Sequence, residues 1–220
     1  MNANVLYILH FLSYGVSVVS IVIALLILFR YKQIDKNMKS ISQYLVISAI
    51  IEVISFVVGK CFHQNNLIFF HIFAPVEFFL LSQFFFGFYK KNDVKLPFSI
   101  IKMAFLSLLL INSFFIQPWN TYNSYGLTAV SIAVILMSLF AFYLMLEKDL
   151  KMPFLFEIKW LMISFFLLHC SSLIVVFFSN KILVLEHTQQ LTVWRVRAFF
   201  MLITKLLQLY LINRLIKNNE

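Results

Sequence analysis

Long apolar segments separated by short polar ones follow one another along the chain. Each segment has the length that a membrane-spanning helix needs, about 20 predominantly apolar residues. Seven such segments can be marked between polar or basic residues. The predicted spans are residues 5–29, 42–59, 67–89, 98–116, 127–146, 160–179 and 193–216. We therefore expect an all-α fold, a polytopic transmembrane bundle of seven helices.

The connections between the predicted spans are short, and none of them is long enough for a soluble domain. Residues 1–220 are therefore interpreted as a single membrane domain. The first apolar segment has no basic residue before it and no convincing small-residue cleavage site after it. It is interpreted as a retained helix, not as a signal peptide.

The composition supports a membrane location. Apolar residues make up 62% of the chain and charged residues 12%, and 27 positions are phenylalanine. A soluble domain has roughly half apolar and a quarter charged residues, so this chain needs the lipid bilayer as its solvent. A net charge of +9 would suggest nucleic acid in a soluble protein. Here the basic residues lie beside the spans, and we expect no direct nucleic-acid binding.

The basic residues predict the orientation of the bundle, because cytoplasmic connections carry an excess of Lys and Arg. On one side of the predicted bundle the connections and helix ends carry four basic residues, and Lys205 lies within a span. The excess lies on one set of connections and helix ends, which carries Arg30, Lys32, Lys36, Lys39, Lys90, Lys91, Lys95, Lys102, Lys148, Lys151, Lys159, Arg214 and Lys217. We expect the N-terminus outside and the C-terminus in the cytoplasm, in a multi-pass protein of the cell inner (plasma) membrane.

Charged residues near the middle of three predicted spans form a candidate polar centre. They are Glu52, Glu77 and Lys205. Each charge at the bilayer centre costs about 2.5–3.5 kcal/mol on insertion scales unless it is paired or neutralised. Two acids and one base favour one ion pair and one protonated or hydrogen-bonded carboxyl, with the partner of Lys205 left open. Arg197 is a possible second partner for Glu52.

Helical spacing places further polar residues beside these charges. Ser48 and Ser55 share one face of the second span with Glu52 and are expected to hydrogen-bond it. That face also carries Tyr44 and Gly59, and the corresponding face of the seventh span carries Arg197, Met201, Thr204, Lys205 and Gln208. Both faces are predicted to point into the bundle, since a charge in lipid faces protein.

The third and sixth spans add two histidines, His71 and His169. His71 lies about 120° around its helix from Glu77, so the two side chains are expected to face different neighbours. Pro75, between them, removes a backbone donor. For each histidine a hydrogen-bonded interior role is favoured over metal ligation, because the five histidines contain no His-x-x-x-His pair.

Three roles for the polar centre stay open at this stage: a clamp that specifies helix packing, a ligand or signal site open to the outside, and an ion or proton path. The candidate site residues are Glu52, His71, Glu77, His169, Arg197 and Lys205. Catalytic patterns are missing, since no glycine-rich phosphate loop and no intramembrane Asp for a Ser-His-Asp arrangement occur. We expect a protein that is not an enzyme and has no metal or cofactor.

The run from His71 to Phe78, with Glu52 before it, resembles a group of small, uncharacterised seven-helix bacterial integral membrane proteins. In that group a His and, six residues on, a Glu-Phe pair lie on the third helix, and a Trp opens the last helix as Trp194 does. The resemblance implies a seven-helix fold and the candidates Glu52, His71 and Glu77, but no activity. Lys205 departs from the group, where an uncharged polar residue is expected.

The first functional hypothesis is a non-enzymatic sensor or receptor-like protein that acts through a partner, such as a kinase, at its basic cytoplasmic side. The alternative is a membrane accessory or regulatory subunit of a bacterial operon, for example one that serves an RNA-targeting CRISPR defence system. A small-solute or ion transporter is the third. The transporter hypothesis has weak support, because the first three spans do not resemble the last three in polar pattern.

Overall fold

The computed structural model describes residues 3–35, 38–62, 64–148 and 154–218, which contain helices and no β-strand. The helices are α1 (Ala3–Phe29), α2 (Lys39–Phe56), α3 (Ile68–Lys91), α4 (Phe98–Ile111), α5 (Ser124–Glu147), α6 (Leu155–Phe177), α7 (Ser179–Ile182) and α8 (His187–Lys217). The prediction of an all-α fold is therefore confirmed. Lys36 and Lys151, two of the basic residues predicted on the cytoplasmic side, lie outside the described residues.

Within the described residues, six helices are long and apolar enough to cross a membrane, which is the pattern of a multi-pass membrane protein. They are α2, α3, α4, α5, α6 and α8, where α2 and α4 each include the wider π-helical turn that follows. In α1 the described apolar part is the shorter segment Tyr14–Phe29. The count of seven spans and the orientation of the termini stay predictions.

Six helices pack as a closed ring in the order α1, α2, α3, α5, α6, α8, and α8 returns to α1. Helix α4 lies outside this ring and packs mainly against α3. Its position is reflected in its burial: 17% of its spanning residues are buried, against 50% for α3. The short helix α7 joins α6 to α8. The ring encloses a central axis, and the polar residues of the bundle lie around it.

The ring has two chemically different ends. The lysine-rich end holds residues 30–35, 38–39, 90–98, 147–148 and 154–155 and the end of α8. The amide-rich end holds residues 57–62, 64–67, 112–124 and 178–187. Between them the outer surface is apolar, with Leu108 64%, Leu136 60% and Ile174 71% exposed. A surface of this kind is stable only against hydrocarbon, because water would be ordered around it.

The observed helices extend beyond several predicted spans. Helix α8 starts at His187 and not at 193, and α6 starts at Leu155 and not at 160. The added turns of α8 are mostly polar and that of α6 contains Glu157 and Lys159, so hydropathy does not mark them. Backbone hydrogen bonds continue the helix past the apolar segment, since each further turn satisfies its own N–H and C=O groups.

Pro75 interrupts the backbone hydrogen bonds of α3, and a neighbouring helix supplies the missing donor. A proline has no N–H, so the carbonyl four residues earlier, that of His71, loses its helical partner. The Ser113 hydroxyl, on the π-helical turn after α4, donates to this carbonyl at 3.3 Å. The indole Nε1 of Trp119 donates in turn to the carbonyl of Ser113. The carbonyl that Pro75 leaves free thus accepts a hydrogen bond that joins the end of α4 to α3.

Replacing Ser113 with alanine should lower the free energy of unfolding by about 1–2 kcal/mol, because the His71 carbonyl then stays unsatisfied in a buried position. The loss should be smaller in a Pro75→Ala background, where the backbone N–H of residue 75 is restored. Unfolding in detergent, followed by circular dichroism, measures both values. Ser107→Ala, at an exposed serine of α4, is the control. Equal losses with and without Pro75 would contradict this assignment.

Candidate functional site

A polar cavity lies on the axis of the ring, between α2, α3, α5, α6 and α8. Its volume is about 80 Å³, which is enough for a few water molecules. The polar side chains that line it are Tyr44, Ser48, Glu77, Tyr122, Ser131, His169, Ser172, Arg197 and Lys205. Four of the six predicted site residues therefore line one cavity: Glu77, His169, Arg197 and Lys205.

The side chains of Tyr44 and Glu77 meet at the wall of the cavity. The Tyr44 hydroxyl donates to Glu77 Oε1 at 3.0 Å, and both residues are buried. The ring of Tyr44 is held by Phe73, 6.3 Å away and stacked, and by Phe165, 5.5 Å away and edge-on. These aromatic contacts restrict the rotamers of Tyr44, so the carboxylate of Glu77 keeps one fixed donor.

His169 faces the same carboxylate from α6. Its Nε2 is 3.9 Å from Glu77 Oε1, which is longer than a hydrogen bond, and its Nδ1 is 3.2 Å from the Ser131 hydroxyl. His169 is 4% exposed, and its Nε2 has no hydrogen-bond partner in the protein. A gap of this length between two buried polar atoms fits a bridging water or a small ligand.

Arg197 closes the cavity on the side of the amide-rich end. Its Nε donates to the Ser172 hydroxyl at 3.2 Å, and its guanidinium lies 5.8 Å from the centre of the Trp194 ring. The Trp194 ring is in turn 5.8 Å from that of Tyr122, which also lines the cavity. Arg197 also acts electrostatically on Glu77, and more strongly than Lys205 does. Among the described residues Arg197 and Glu52 form no ion pair, so the structure does not show the possible partnership of the two.

Lys205 is 2% exposed, near the middle of α8. Within the described part of the chain, its ammonium makes no direct ion pair. Both Glu52 and Glu77 act on it electrostatically, and Glu52 acts more strongly. The expectation of one direct ion pair is thus replaced by charges that face one another across the cavity region. Such an arrangement leaves space between the charges for water or a ligand.

Glu52 lies next to the cavity but does not line it. Its carboxylate accepts a hydrogen bond from the Ser17 hydroxyl of α1 at 2.8 Å. Ser55, predicted to bond Glu52, instead accepts from the Asn66 amide at 3.0 Å. The same amide group lies where a side chain at Gly59 would collide with it, 2.9 Å from an ideal Cβ. Gly59 therefore permits close contact, as its place on the helical face suggests.

His71 is separated from the cavity by the width of α3. Its Nε2 lies 3.0 Å from the carbonyl of Thr121, and its other ring nitrogen has no partner in the protein. It borders an apolar groove on the outer side of the ring, between α2, α3 and α4. The expected angular separation of His71 and Glu77 thus puts them in two different environments. His71 serves the contact of α3 with the connection that precedes α5.

A network of amide side chains covers the cavity at the amide-rich end. Asn123 accepts from the Asn112 amide at 2.8 Å and from the backbone N–H of Gly126 at 3.1 Å, so it caps α5. The Asn180 amide reaches the Tyr122 carbonyl and the Ser124 hydroxyl, each at 3.0 Å. Our sequence reasoning missed this network, although the Asn-Ser pair before an apolar run is a helix N-cap pattern.

A second buried charge at the lysine-rich end was also missed. Glu157, in the first turn of α6, is 3% exposed and accepts from Arg214 Nε at 2.7 Å and from the Asn218 amide at 3.2 Å. The guanidinium of Arg214 also lies 4.4 Å from the Phe156 ring. These contacts join the start of α6 to the end of α8. Their polar atoms are mutually satisfied, which is the pattern of a helix clamp.

The central cavity differs from this clamp in its unsatisfied atoms. Buried polar atoms without a hydrogen-bond partner in the protein include His169 Nε2, Tyr122 Oη and Gln208 Oε1. His169 and Tyr122 line the cavity, and Gln208 lies one turn beyond Lys205 on α8. An unsatisfied buried polar group costs about 1–3 kcal/mol, so such atoms indicate a site for water or a polar ligand.

Among the described residues, no group of three or more His, Cys, Asp or Glu side chains is arranged to hold a metal ion. Comparison with protein families, curated proteins and solved structures finds no match to the chain. The six long apolar helices place the chain in a broad class, the helical multi-pass membrane proteins. The resemblance to small seven-helix bacterial proteins stays a prediction.

Proposed function

We propose that this chain is a non-enzymatic, receptor-like membrane protein whose central cavity binds a small polar or ionic ligand. The observation that carries the proposal is the cavity itself. Within the described residues, opposite charges line it or lie beside it without direct ion pairs, and His169 Nε2 and Tyr122 Oη have no hydrogen-bond partner. A ligand with both donor and acceptor groups would satisfy these atoms and stabilise the ring of helices.

Orientation and output form the second part of the proposal. The positive-inside rule favours the lysine-rich end as the cytoplasmic one, with the amide-rich end outside. The helices and their short connections take up the described residues. A partner protein at the cytoplasmic side is therefore the proposed carrier of a signal. The cavity contacts five helices of the ring, so its occupancy would change their packing together.

The proposal predicts a co-purified ligand that depends on Glu77. The protein is purified from native membranes in mild detergent, and native mass spectrometry and solvent extraction identify what remains bound. We expect a small polar molecule at about one per chain, with roughly tenfold less in Glu77→Gln, because that variant removes the charge between His169 and Tyr44. Glu147→Gln, at an exposed acidic residue, is the matched control.

Each of three outcomes would contradict this proposal. Equal retention of the molecule in Glu77→Gln would remove the cavity as its site. A wild-type protein that binds no small molecule but always carries a stoichiometric protein would favour the accessory subunit of a bacterial operon. Movement of the bound solute across reconstituted vesicles, abolished by Glu77→Gln, would favour the transporter.

A further inference from the structure

A second, larger cavity opens at the lysine-rich end, outside the ring's axis. It measures about 590 Å³ and lies between the first turns of α2, α4 and α6 and the last turns of α3. Its described lining contains one carboxylate, that of Asp35. It also contains four lysines, namely Lys39, Lys90, Lys91 and Lys102. We call this cavity the basic pocket. The excess of positive charge favours an anionic ligand.

Helix geometry strengthens this preference. Helices α2, α4 and α6 all begin at the basic pocket, and their N-cap residues Met38, Pro97 and Phe154 make no side-chain capping hydrogen bond. The N-terminus of a helix carries a partial positive charge and unpaired N–H groups. Three such ends therefore add to the positive potential of the four lysines, in a cavity with a defined shape.

Lys102 connects the basic pocket to the apolar interior of the membrane. It lies in the second turn of α4, is half-buried, and holds its ammonium 4.6 Å from the centre of the Phe79 ring. Phe79 lines the apolar groove between α2, α3 and α4, which measures about 550 Å³. The positive-inside rule alone does not explain why Lys102 lies this close to Phe79, because a basic residue at the helix end would set the orientation equally well.

The basic pocket continues into the apolar groove on each of the three helices. One turn separates Gln43 from Ile47 on α2 and Gln83 from Phe79 on α3, where the first residue lines the pocket and the second the groove. Lys102 and Leu106 repeat this relation on α4. Because α4 lies outside the ring, the groove faces the membrane and not the central cavity.

We propose that this composite site binds an anionic phospholipid, with its phosphate in the basic pocket and an acyl chain in the apolar groove. The two parts have the chemistry of the two parts of such a lipid, in the same order along the membrane normal. Basic pockets between membrane helices at the cytoplasmic side bind anionic headgroups. A soluble phosphate compound would use the pocket and leave the groove unused. The site does not depend on the function proposed for the central cavity.

The test is a lipid titration of the detergent-purified protein, followed by native mass spectrometry. We expect a long-chain phosphatidylglycerol to bind roughly tenfold more tightly than phosphatidylcholine with the same acyl chains. A triple variant, Lys39→Gln/Lys90→Gln/Lys102→Gln, should lose about tenfold in affinity for phosphatidylglycerol. The control, Lys32→Gln/Lys95→Gln/Lys159→Gln, removes as many exposed charges at the same end outside the pocket, and it should change the affinity less than about twofold.

Several results would overturn the proposal. Equal losses in the two triple variants would indicate unspecific attraction to a basic surface. Displacement of the lipid by glycerol 3-phosphate at the same concentration would assign the pocket to a soluble phosphate. If the triple variant fails to fold, Leu106→Trp keeps every charge and fills the groove. It should weaken long-chain phosphatidylglycerol more than a six-carbon form, and an equal effect on both would exclude the groove.

Discussion

Replacing Glu77 with alanine should destabilise the protein by about 3–5 kcal/mol, because it leaves buried cations without their compensating charge. Arg197 and Lys205 both act on this carboxylate, and Tyr44 donates to it at 3.0 Å. All of these groups lie inside the ring, where water cannot replace the lost partner at low cost. Unfolding in mixed detergent micelles, followed by circular dichroism, measures the change.

The glutamine variant separates charge from hydrogen bonding. Glu77→Gln keeps an acceptor for the Tyr44 hydroxyl but removes the negative charge, so its loss should lie clearly below that of Glu77→Ala. Glu147→Ala, at an exposed position of α5, should change the free energy of unfolding by less than about 0.5 kcal/mol. A Glu77→Ala protein as stable as the wild type would show that the carboxylate does not compensate the cations.

The helices could be predicted from sequence because the bilayer imposes a length on each of them. Alternation of long apolar and short polar segments is sufficient for that, and the predicted and observed cores of the spans overlap. The first turns of α8 could not be predicted in the same way, since residues 187–192 are mostly polar. The location of α4 outside the ring was likewise not predictable, because it depends on contacts between segments far apart in sequence.

For the site, helical spacing predicts which residues share a face, but not which faces meet. Arg197 and Lys205 occupy one face of α8, and both line the cavity. The choice of acid for each of them depends on the relative rotation and depth of α2, α3 and α8. Sequence reasoning left Arg197 as a possible partner of Glu52, whereas in the structure Arg197 acts on Glu77. A register difference of one turn between helices is enough to exchange such partners.

The two acidic and two basic residues in and beside the cavity act on one another electrostatically, and this determines the net charge of the polar centre. Arg197 acts on Glu77 more strongly than Lys205 does, and Glu52 acts on Lys205 more strongly than Glu77 does. These two relations connect α3 with α8 and α2 with α8. With all four groups ionised the charges sum to zero, so the whole centre would be neutral while its members stay apart. Neutrality lowers the cost of the centre in the membrane, and separation keeps the cavity open for a polar ligand.

Lys205→Met should therefore cost about 3 kcal/mol on its own, and a second substitution should identify its partner. Methionine has a similar length and no charge, so the variant removes the cation with little change in packing. Glu52 would then keep the Ser17 hydroxyl of α1 as its donor among the described residues. Adding Glu52→Gln removes this uncompensated charge. The double variant should recover most of the loss, to within about 1 kcal/mol of the wild type.

The alternative double variant gives the discriminating comparison. Lys205→Met/Glu77→Gln leaves Glu52 uncompensated and also takes from Arg197 the carboxylate on which it acts. We expect it to be no more stable than Lys205→Met alone, as a double-mutant cycle in the same detergent would measure. A recovery with Glu77→Gln and none with Glu52→Gln would instead assign Lys205 to Glu77. In that case Glu52 would owe its stability to Ser17 and α1, and Glu77 of α3 would face both cations of α8.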